Sequence, residues 1–355
     1  MLNRVYIFYL TIKNMDLNKK LPFTNINWIS AAILKEPEKA VKKIRKGALV
    51  LGMVDEIISF FPRIRDLFYI IEWRGWSGLN YAKNADIKLV EDGSTLEETK
   101  RKFPKAISLD LAVGDFVDTD KFRPLDTNKL YDIIQIASWV PFKRHELFLE
   151  AASLLPSYTF IKFGHLPSQS SDEVFLKRKI LERFRVEVPN VYLPFSQSER
   201  NDDLPYVPKE VNGYLNSAKV GVLTSSKEGM NRFKMECLSA GLPFLVAKDS
   251  VYPIKKHINE RTGAIYEPTP RGLAKAIEET VSNLDKFLPR DYILRNTGKK
   301  NSTLKLENAL NQLALRDGNP EYFEGLNFGG RNQDFLWGYK ALESLRKLVG
   351  GFYEQ

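Results

Sequence analysis

The stretch Lys227-Glu-Gly-Met-Asn-Arg-Phe-Lys-Met-Glu-Cys-Leu-Ser-Ala-Gly-Leu-Pro-Phe-Leu-Val246 decides the reading of this chain. It follows a strand-like run, Lys219-Val-Gly-Val-Leu-Thr224. Glu228 closes that run, Gly229 lets the backbone turn tightly, and Asn231 suits the cap of a helix that carries Glu236. Gly241-Leu-Pro243 then leads into a further strand. A glycine loop that opens a helix presents unpaired N–H groups and the positive end of the helix dipole, which suits an anion. Met230 and Arg232 sit in the same turn. Two carboxylates flanking such a site suit a ligand that carries hydroxyls beside its phosphate. The plainer alternative is an exposed acidic loop followed by an ordinary helical glutamate.

Working outward, the bulk properties fit a globular chain. Its 355 residues are enough for two domains of ordinary size. It is 43% hydrophobic and 27% charged, and no apolar run approaches the roughly 20 residues that span a bilayer. Val5-Tyr-Ile-Phe-Tyr-Leu10 reads as a buried first strand rather than a signal-peptide core. The lone Cys237 allows no disulfide framework, so a cytoplasmic location is expected. His145, His165 and His257 have no metal-ligand spacing. Net charge is +9, and residues 1–46 hold ten Lys or Arg against three acids. Such an excess attracts anionic lipid, nucleic acid or a phosphorylated substrate. Aromatic interleaving is weak there, which ranks peripheral contact with anionic membrane, at its inner face, or a lipid-phosphate above nucleic acid. The bland reading is a solvated helix face near Lys39–Lys46.

The second half alternates strand and helix signals. Strands are expected at Asp132–Ala137, Tyr158–Phe163, Asn190–Phe195, Lys219–Thr224, Pro243–Ala247 and Gly263–Tyr266. Amphipathic helices are expected at His145–Leu155, Asp172–Phe184, Lys209–Ser217 and Pro270–Leu284. That alternation implies a parallel doubly wound α/β sheet, with ligand loops at the carboxyl ends of its strands. The first half is shorter, with strands expected at Arg4–Ile12, Ala48–Leu51, Leu67–Glu72, Ile87–Val90 and Ala106–Leu111. Gly114-Asp-Phe-Val-Asp-Thr-Asp-Lys-Phe-Arg-Pro124 links the halves. Its Asp118-Thr-Asp120 triplet is read as connector and not as a metal site, since no second acidic cluster accompanies it.

The Glu228…Glu236 spacing resembles the paired-glutamate motif of glycosyltransferase family 4, retaining enzymes of the GT-B fold. Gly114–Pro124 is similar to the segment that precedes their second domain, and Asn259–Pro268 to a later one; the likeness covers about residues 86–297. It implies two Rossmann-like doubly wound domains facing a cleft, the N-terminal one reduced. The expected divisions are 1–124, 125–297 and 298–355, the last crossing back to the first. It implies a hexosyl transfer from a nucleotide sugar, UDP- or GDP-linked, to a glycan, lipid-linked or other hydroxyl acceptor, as in polysaccharide biosynthesis, with no metal or other cofactor. Ala137-Ser-Trp-Val-Pro-Phe-Lys-Arg-His-Glu-Leu147 looks like the family's diphosphate loop, with Lys143 on its lysine. By the same resemblance Glu228 and Gly229 contact sugar and phosphate, and Glu236 the ribose. His165 and Leu193 fall on the loops of the base pocket.

The chain departs from the family at three places. Ser138 stands where the family has arginine, which leaves Arg144 or Arg232 to compensate. Thr11–Asp16 lacks the glycines of an acceptor loop. Arg74 stands at the histidine position and would act electrostatically, since it cannot accept a proton. These departures keep open a catalytically weak nucleotide-sugar-binding partner, and the fold alone also leaves a sugar-nucleotide epimerase.

Overall fold

The structure, a computed structural model, describes residues 30–39, 44–73, 81–164, 171–193, 208–328 and 336–353. The expected strand Arg4–Ile12 lies outside them. The chain divides into two units, Met1–Val113 with Thr303–Gln355, and Gly114–Ser302.

The strands of the first unit are β1 (Ser30–Lys35), β2 (Glu38–Lys39), β3 (Ile44–Arg45), β4 (Gly47–Gly52), β5 (Phe68–Glu72), β6 (Ile87–Leu89) and β7 (Ile107–Leu109). Near the chain's end, Leu336–Trp337, β14 in chain order, joins the same sheet, whose order is β14-β1-β4-β5-β6-β7. From β4 to β7 the pairing is parallel, while β1 runs antiparallel to both neighbours. Every residue of β4 and β5 is buried, as parallel strands covered on both faces should be. The helix Gly338–Tyr353 contributes Ala341, Leu342, Leu345 and Val349 to the core beneath β4. These positions fall on one helical stripe.

At Lys39 and at Ile44–Arg45 the structure differs from the expected helix face, residues 40–43 lying outside the described ones. β2 and β3 pair as an antiparallel ribbon, Glu38 opposite Arg45. β-branched Ile44 and the chain's need to return antiparallel favour strand there over helix. Two of the basic side chains are engaged within the unit. Lys35 donates to the Tyr322 carbonyl at 2.8 Å, and Lys46 lies 3.4 Å from Asp317. Among the described residues no helix is long and apolar enough to cross a membrane.

The second unit holds β8 (Tyr131–Ile136), β9 (Phe160–Phe163), β10 (Val191–Tyr192), β11 (Ala218–Leu223), β12 (Phe244–Ala247) and β13 (Gly263–Tyr266). All pair in parallel, in the order β10-β9-β8-β11-β12-β13. Strand order therefore reverses between β8 and β11, the switch point of a Rossmann-like sheet. The helices His145–Ser153, Ser171–Glu187, Pro208–Asn216 and Arg232–Ser239 provide crossovers between them. Phe148 and Phe160 meet edge to face at 5.6 Å in the core. Each such ring contributes on the order of 1.5–3 kcal/mol through burial.

The helix Arg232–Ser239 is set at both ends. Asn231 caps it, its side chain accepting from Lys234 N at 3.0 Å. At the far end Leu242 N bonds Cys237 O and Gly241 N bonds Leu238 O, with Gly241 at φ 91°. This is the paired hydrogen-bond pattern that favours a left-handed glycine after a helix. A Cβ on Gly241 meets only Pro124 Cγ at 3.5 Å, so space does not forbid a side chain; conformation does. Gly241→Ala is therefore expected to cost about 1 kcal/mol, read as a lower urea midpoint with an unchanged slope.

Candidate functional site

The loops that follow β8, β11 and β12 converge at the carboxyl end of the second sheet. After β8, Val140 is extended, Pro141–Lys143 forms a short 3-10 turn, and Arg144 adopts the left-handed region at φ 49°, ψ 56°. A non-glycine residue there costs about 1–2 kcal/mol and needs support from its surroundings. That support comes from both neighbouring loops. Thr224 Oγ1 donates to Lys143 O at 2.6 Å, and Arg144 Nε donates back to Thr224 O. The two Nη groups of Arg144 hold the Asp249 carboxylate at 2.6 and 2.9 Å. Ser226 N reaches Phe142 O at 2.9 Å, and Ser250 Oγ donates to Ser225 O. The Arg144 guanidinium keeps the Asp249 carboxyl below its usual range.

These bonds bring Lys143 to Glu228. Lys143 Nζ donates to Glu228 Oε1, with the side chains only 9% and 12% exposed. Ser225 Oγ donates to the same oxygen at 3.1 Å. Burial lowers the Lys143 pKa to about 8. Behind it stand two more basic groups. Lys162 is fully buried, donates to Gln135 Oε1, and lies 4.9 Å from the Trp139 ring centre. Gln135 Nε2 in turn donates to Thr224 Oγ1 at 3.1 Å. His145 is buried with Nε2 against Ser138 O at 3.0 Å, and its Nδ1 has no hydrogen-bond partner among the described residues. Burial, then the neighbouring charge of Lys143, pushes Lys162 well below the ordinary lysine range. Burial and Lys162 do the same to His145.

The other expected residues distribute as follows. Met230 is buried, and its Cγ would lie 2.4 Å from a Cβ at Gly114, so that position admits only glycine. Gly229 lies buried in the turn after Glu228, while Arg232 and Glu236 are half-buried on the helix just described. Leu193 packs against the hydrophobic core of the unit. Arg74 and His165 lie outside the described residues. Asp118 accepts from the backbone N of Asp120 and Lys121, both at 3.2 Å, and pairs with Lys121 Nζ at 3.1 Å. Among the described residues no group of three His, Cys, Asp or Glu side chains has the arrangement of a metal site.

Sequence reasoning missed Asp249, Thr224, Ser225 and Lys234. The last is buried, its ammonium donating to Ile254 O at 2.9 Å, Lys256 O at 2.6 Å and the Met230 sulfur. For Thr224, Ser225 and Asp249 the one local signal is position, after the strand ends of a parallel sheet.

No protein-family model matches the chain, and no curated protein matches it in sequence. Among solved structures it resembles a sucrose-phosphate synthase from Thermosynechococcus elongatus, with TM-score 0.56 and 15% identity over 73% of this chain and 71% of that one. It also resembles TarM of S. aureus, at 0.55 and 17% over 74% of this chain. Only 54% of TarM is matched, so the chain spans about half of that protein's length. The third is HepE of Anabaena in complex with UDP and glucose, at 0.55 and 10% over 72% and 75% of the two chains. At these identities the likeness concerns the fold, and it shows the GT-B class of two Rossmann-like units.

Chemically, a buried ammonium at a strand-order reversal offers an anion site whose charge is present below about pH 8 and lost above it. Sulfate keeps constant charge from pH 7 to 9. Its affinity, measured by calorimetry, is expected to fall across that range with a midpoint near the Lys143 value, and Lys143→Met is expected to flatten the profile.

Proposed function

We propose that this chain is a glycosyltransferase of the family 4 kind, moving a sugar from a nucleotide-sugar donor to a hydroxyl acceptor with retention and without metal. The contact of Lys143 with Glu228 at the switch point, beside the capped helix that carries Glu236, is the observation that carries this reading. Lys143 faces the donor diphosphate and Glu228 the sugar hydroxyls. Glu236 accepts from the ribose. Gly229, Met230, Asn231 and Arg232 form the helix start against the phosphates. The GT-B neighbours support the class, and HepE, whose complex contains UDP and glucose, supports the donor type.

In the transfer, the bond between the anomeric carbon and the diphosphate oxygen breaks, and its electron pair leaves with the diphosphate. The acceptor oxygen bonds to the same face of the anomeric carbon, and its proton passes to the departing phosphate oxygen. The ammonium of Lys143 stabilises the charge that develops on the leaving group. It needs little rearrangement, because the loops that hold it are already tied to one another. Arg144 serves this reading by positioning Lys143, since its guanidinium is held by Asp249.

A panel of UDP-, GDP- and ADP-sugars tests the proposal, with thermal shift for binding and released nucleotide for turnover. One class of donor is expected to do both. Stabilisation without nucleotide release, across acceptors, would favour the binding homologue instead, and release of an isomerised sugar nucleotide the epimerase. Glu236→Gln keeps the size of the side chain but removes its charge. It is expected to weaken nucleotide binding by on the order of 1–3 kcal/mol, and an unchanged affinity places the ribose elsewhere.

The Asp118 carboxylate is committed to a turn and to Lys121. Turnover is therefore expected to survive EDTA, and to survive Asp118→Asn combined with Asp120→Asn. Strict rescue by manganese, lost in that double variant, would assign the leaving-group chemistry to a bound cation.

A further inference from the structure

We infer that Glu228 makes this anion site selective for an intact nucleotide sugar over a bare diphosphate, by holding Lys143 in an ion pair that any incoming diphosphate has to break. The inference rests on the proposed donor site and adds to it a discrimination between substrate and spent product. Lys143 Nζ and Glu228 Oε1 are in direct contact, and both side chains are largely shielded from water. The other basic groups near Lys143 do not substitute for it. Arg144, from the same loop, is bound in bidentate fashion to Asp249. Lys162, from β9, donates to Gln135, and His145, which opens the helix His145–Ser153, turns its Nε2 to a carbonyl. Lys143 and Glu228 together sum to zero charge, so a diphosphate meets a neutralised site.

The two ligand classes then differ in what happens to Glu228. When a bare diphosphate takes the ammonium, a shielded carboxylate loses its charged partner and is left beside a second anion. Both effects oppose binding. When the diphosphate carries a sugar, the sugar hydroxyls donate to the carboxylate as Lys143 leaves it. Ser225 Oγ, already 3.1 Å from Oε1, holds that oxygen in place through the exchange. After transfer the sugar is gone, Glu228 recovers Lys143, and the nucleoside diphosphate is displaced. One residue thereby favours entry of the donor and exit of the product.

Replacing the carboxylate by an amide raises the pair's charge by one, from zero to plus one with Lys143 protonated and from minus one to zero with it neutral. Electrostatics therefore allow only tighter anion binding. Calorimetry with inorganic pyrophosphate at pH 7 reads this without any assumption about the base or the sugar. Glu228→Gln is expected to bind pyrophosphate about tenfold more tightly than the wild type, the loss of one charge-assisted competitor. In the same variant the preference for UDP-glucose over UDP, GDP-mannose over GDP, or ADP-glucose over ADP is expected to shrink by a similar factor, for whichever pair the wild type binds. Glu228→Ala serves as the second variant and is expected to move pyrophosphate affinity in the same direction, with thermal melts confirming that each is folded.

Unchanged or weaker pyrophosphate binding in both folded variants overturns the inference, and the donor site survives if Lys143→Met still abolishes that binding. Pyrophosphate binding that is absent from the wild type and from both variants overturns the donor site together with the inference.

Discussion

Thr224 sits where the strand order of the second sheet reverses, and the hydrogen bonds it makes fix the geometry on which the rest of the site depends. Its hydroxyl donates to the Lys143 carbonyl while receiving from Gln135, and its own carbonyl receives the Arg144 side chain. One buried residue thus joins the loop after β8 to the loop after β11. The need for it follows from Arg144, whose left-handed backbone is unfavourable in isolation. Released from Thr224 and Asp249, the turn would relax and take the direction of Lys143 with it. A parallel sheet places all its strand ends on one side, so three short loops suffice to build a rigid wall from segments distant in sequence.

The same wall explains why so much positive charge lies under the surface of the unit. Burying an ammonium is unfavourable unless its donors are satisfied. Lys162 meets this through Gln135 and two aromatic faces, those of Trp139 and Phe148. Lys234 meets it through two carbonyls and a thioether. These are structural solutions, since each group is occupied on all sides by protein. Lys143 differs, because its partner Glu228 is a side chain on an irregular loop that can exchange it for something else.

How much of this was legible in the sequence depends on whether the cause is local. Gly263–Tyr266, flanked by turn residues and followed by a proline-started helix, matched its expected strand residue for residue. The cap at Asn231 and the glycine at 241 are likewise set by their immediate neighbours. β1 was missed: Ser30-Ala-Ala-Ile-Leu-Lys35 has little β-branching, and it is a strand because β4 on one side and Leu336–Trp337 on the other pair with it. The Arg144–Asp249 contact spans 105 positions, and no short window contains it. An arginine next to the diphosphate lysine reads as a ligand for phosphate until the carboxylate that claims it is placed. The basic ribbon near Lys39 shows the same limit, because the contact between Lys46 and Asp317 depends on residues from the far end of the chain.

The connector shows how the position of the Glu236 helix is set from outside it. Asp115, just past the first passage between units, is buried and holds Lys256 Nζ at 3.0 Å and His257 Nε2 at 2.6 Å. Its carbonyl receives Ser302 Oγ at 2.7 Å, just before the second passage, and Thr297 Oγ1 donates to its carboxylate at 2.8 Å. Lys256 in turn presents its carbonyl to Lys234, on the first turn of the helix Arg232–Ser239. An aspartate in the connector is therefore linked, through two lysines, to the helix start beside Glu228. The acid is placed to fold the second unit around its two ends, and its neighbour Gly114 leaves room for Met230 at that same helix start. The residues that close the unit and those that shape its anion site are thus one continuous set of contacts.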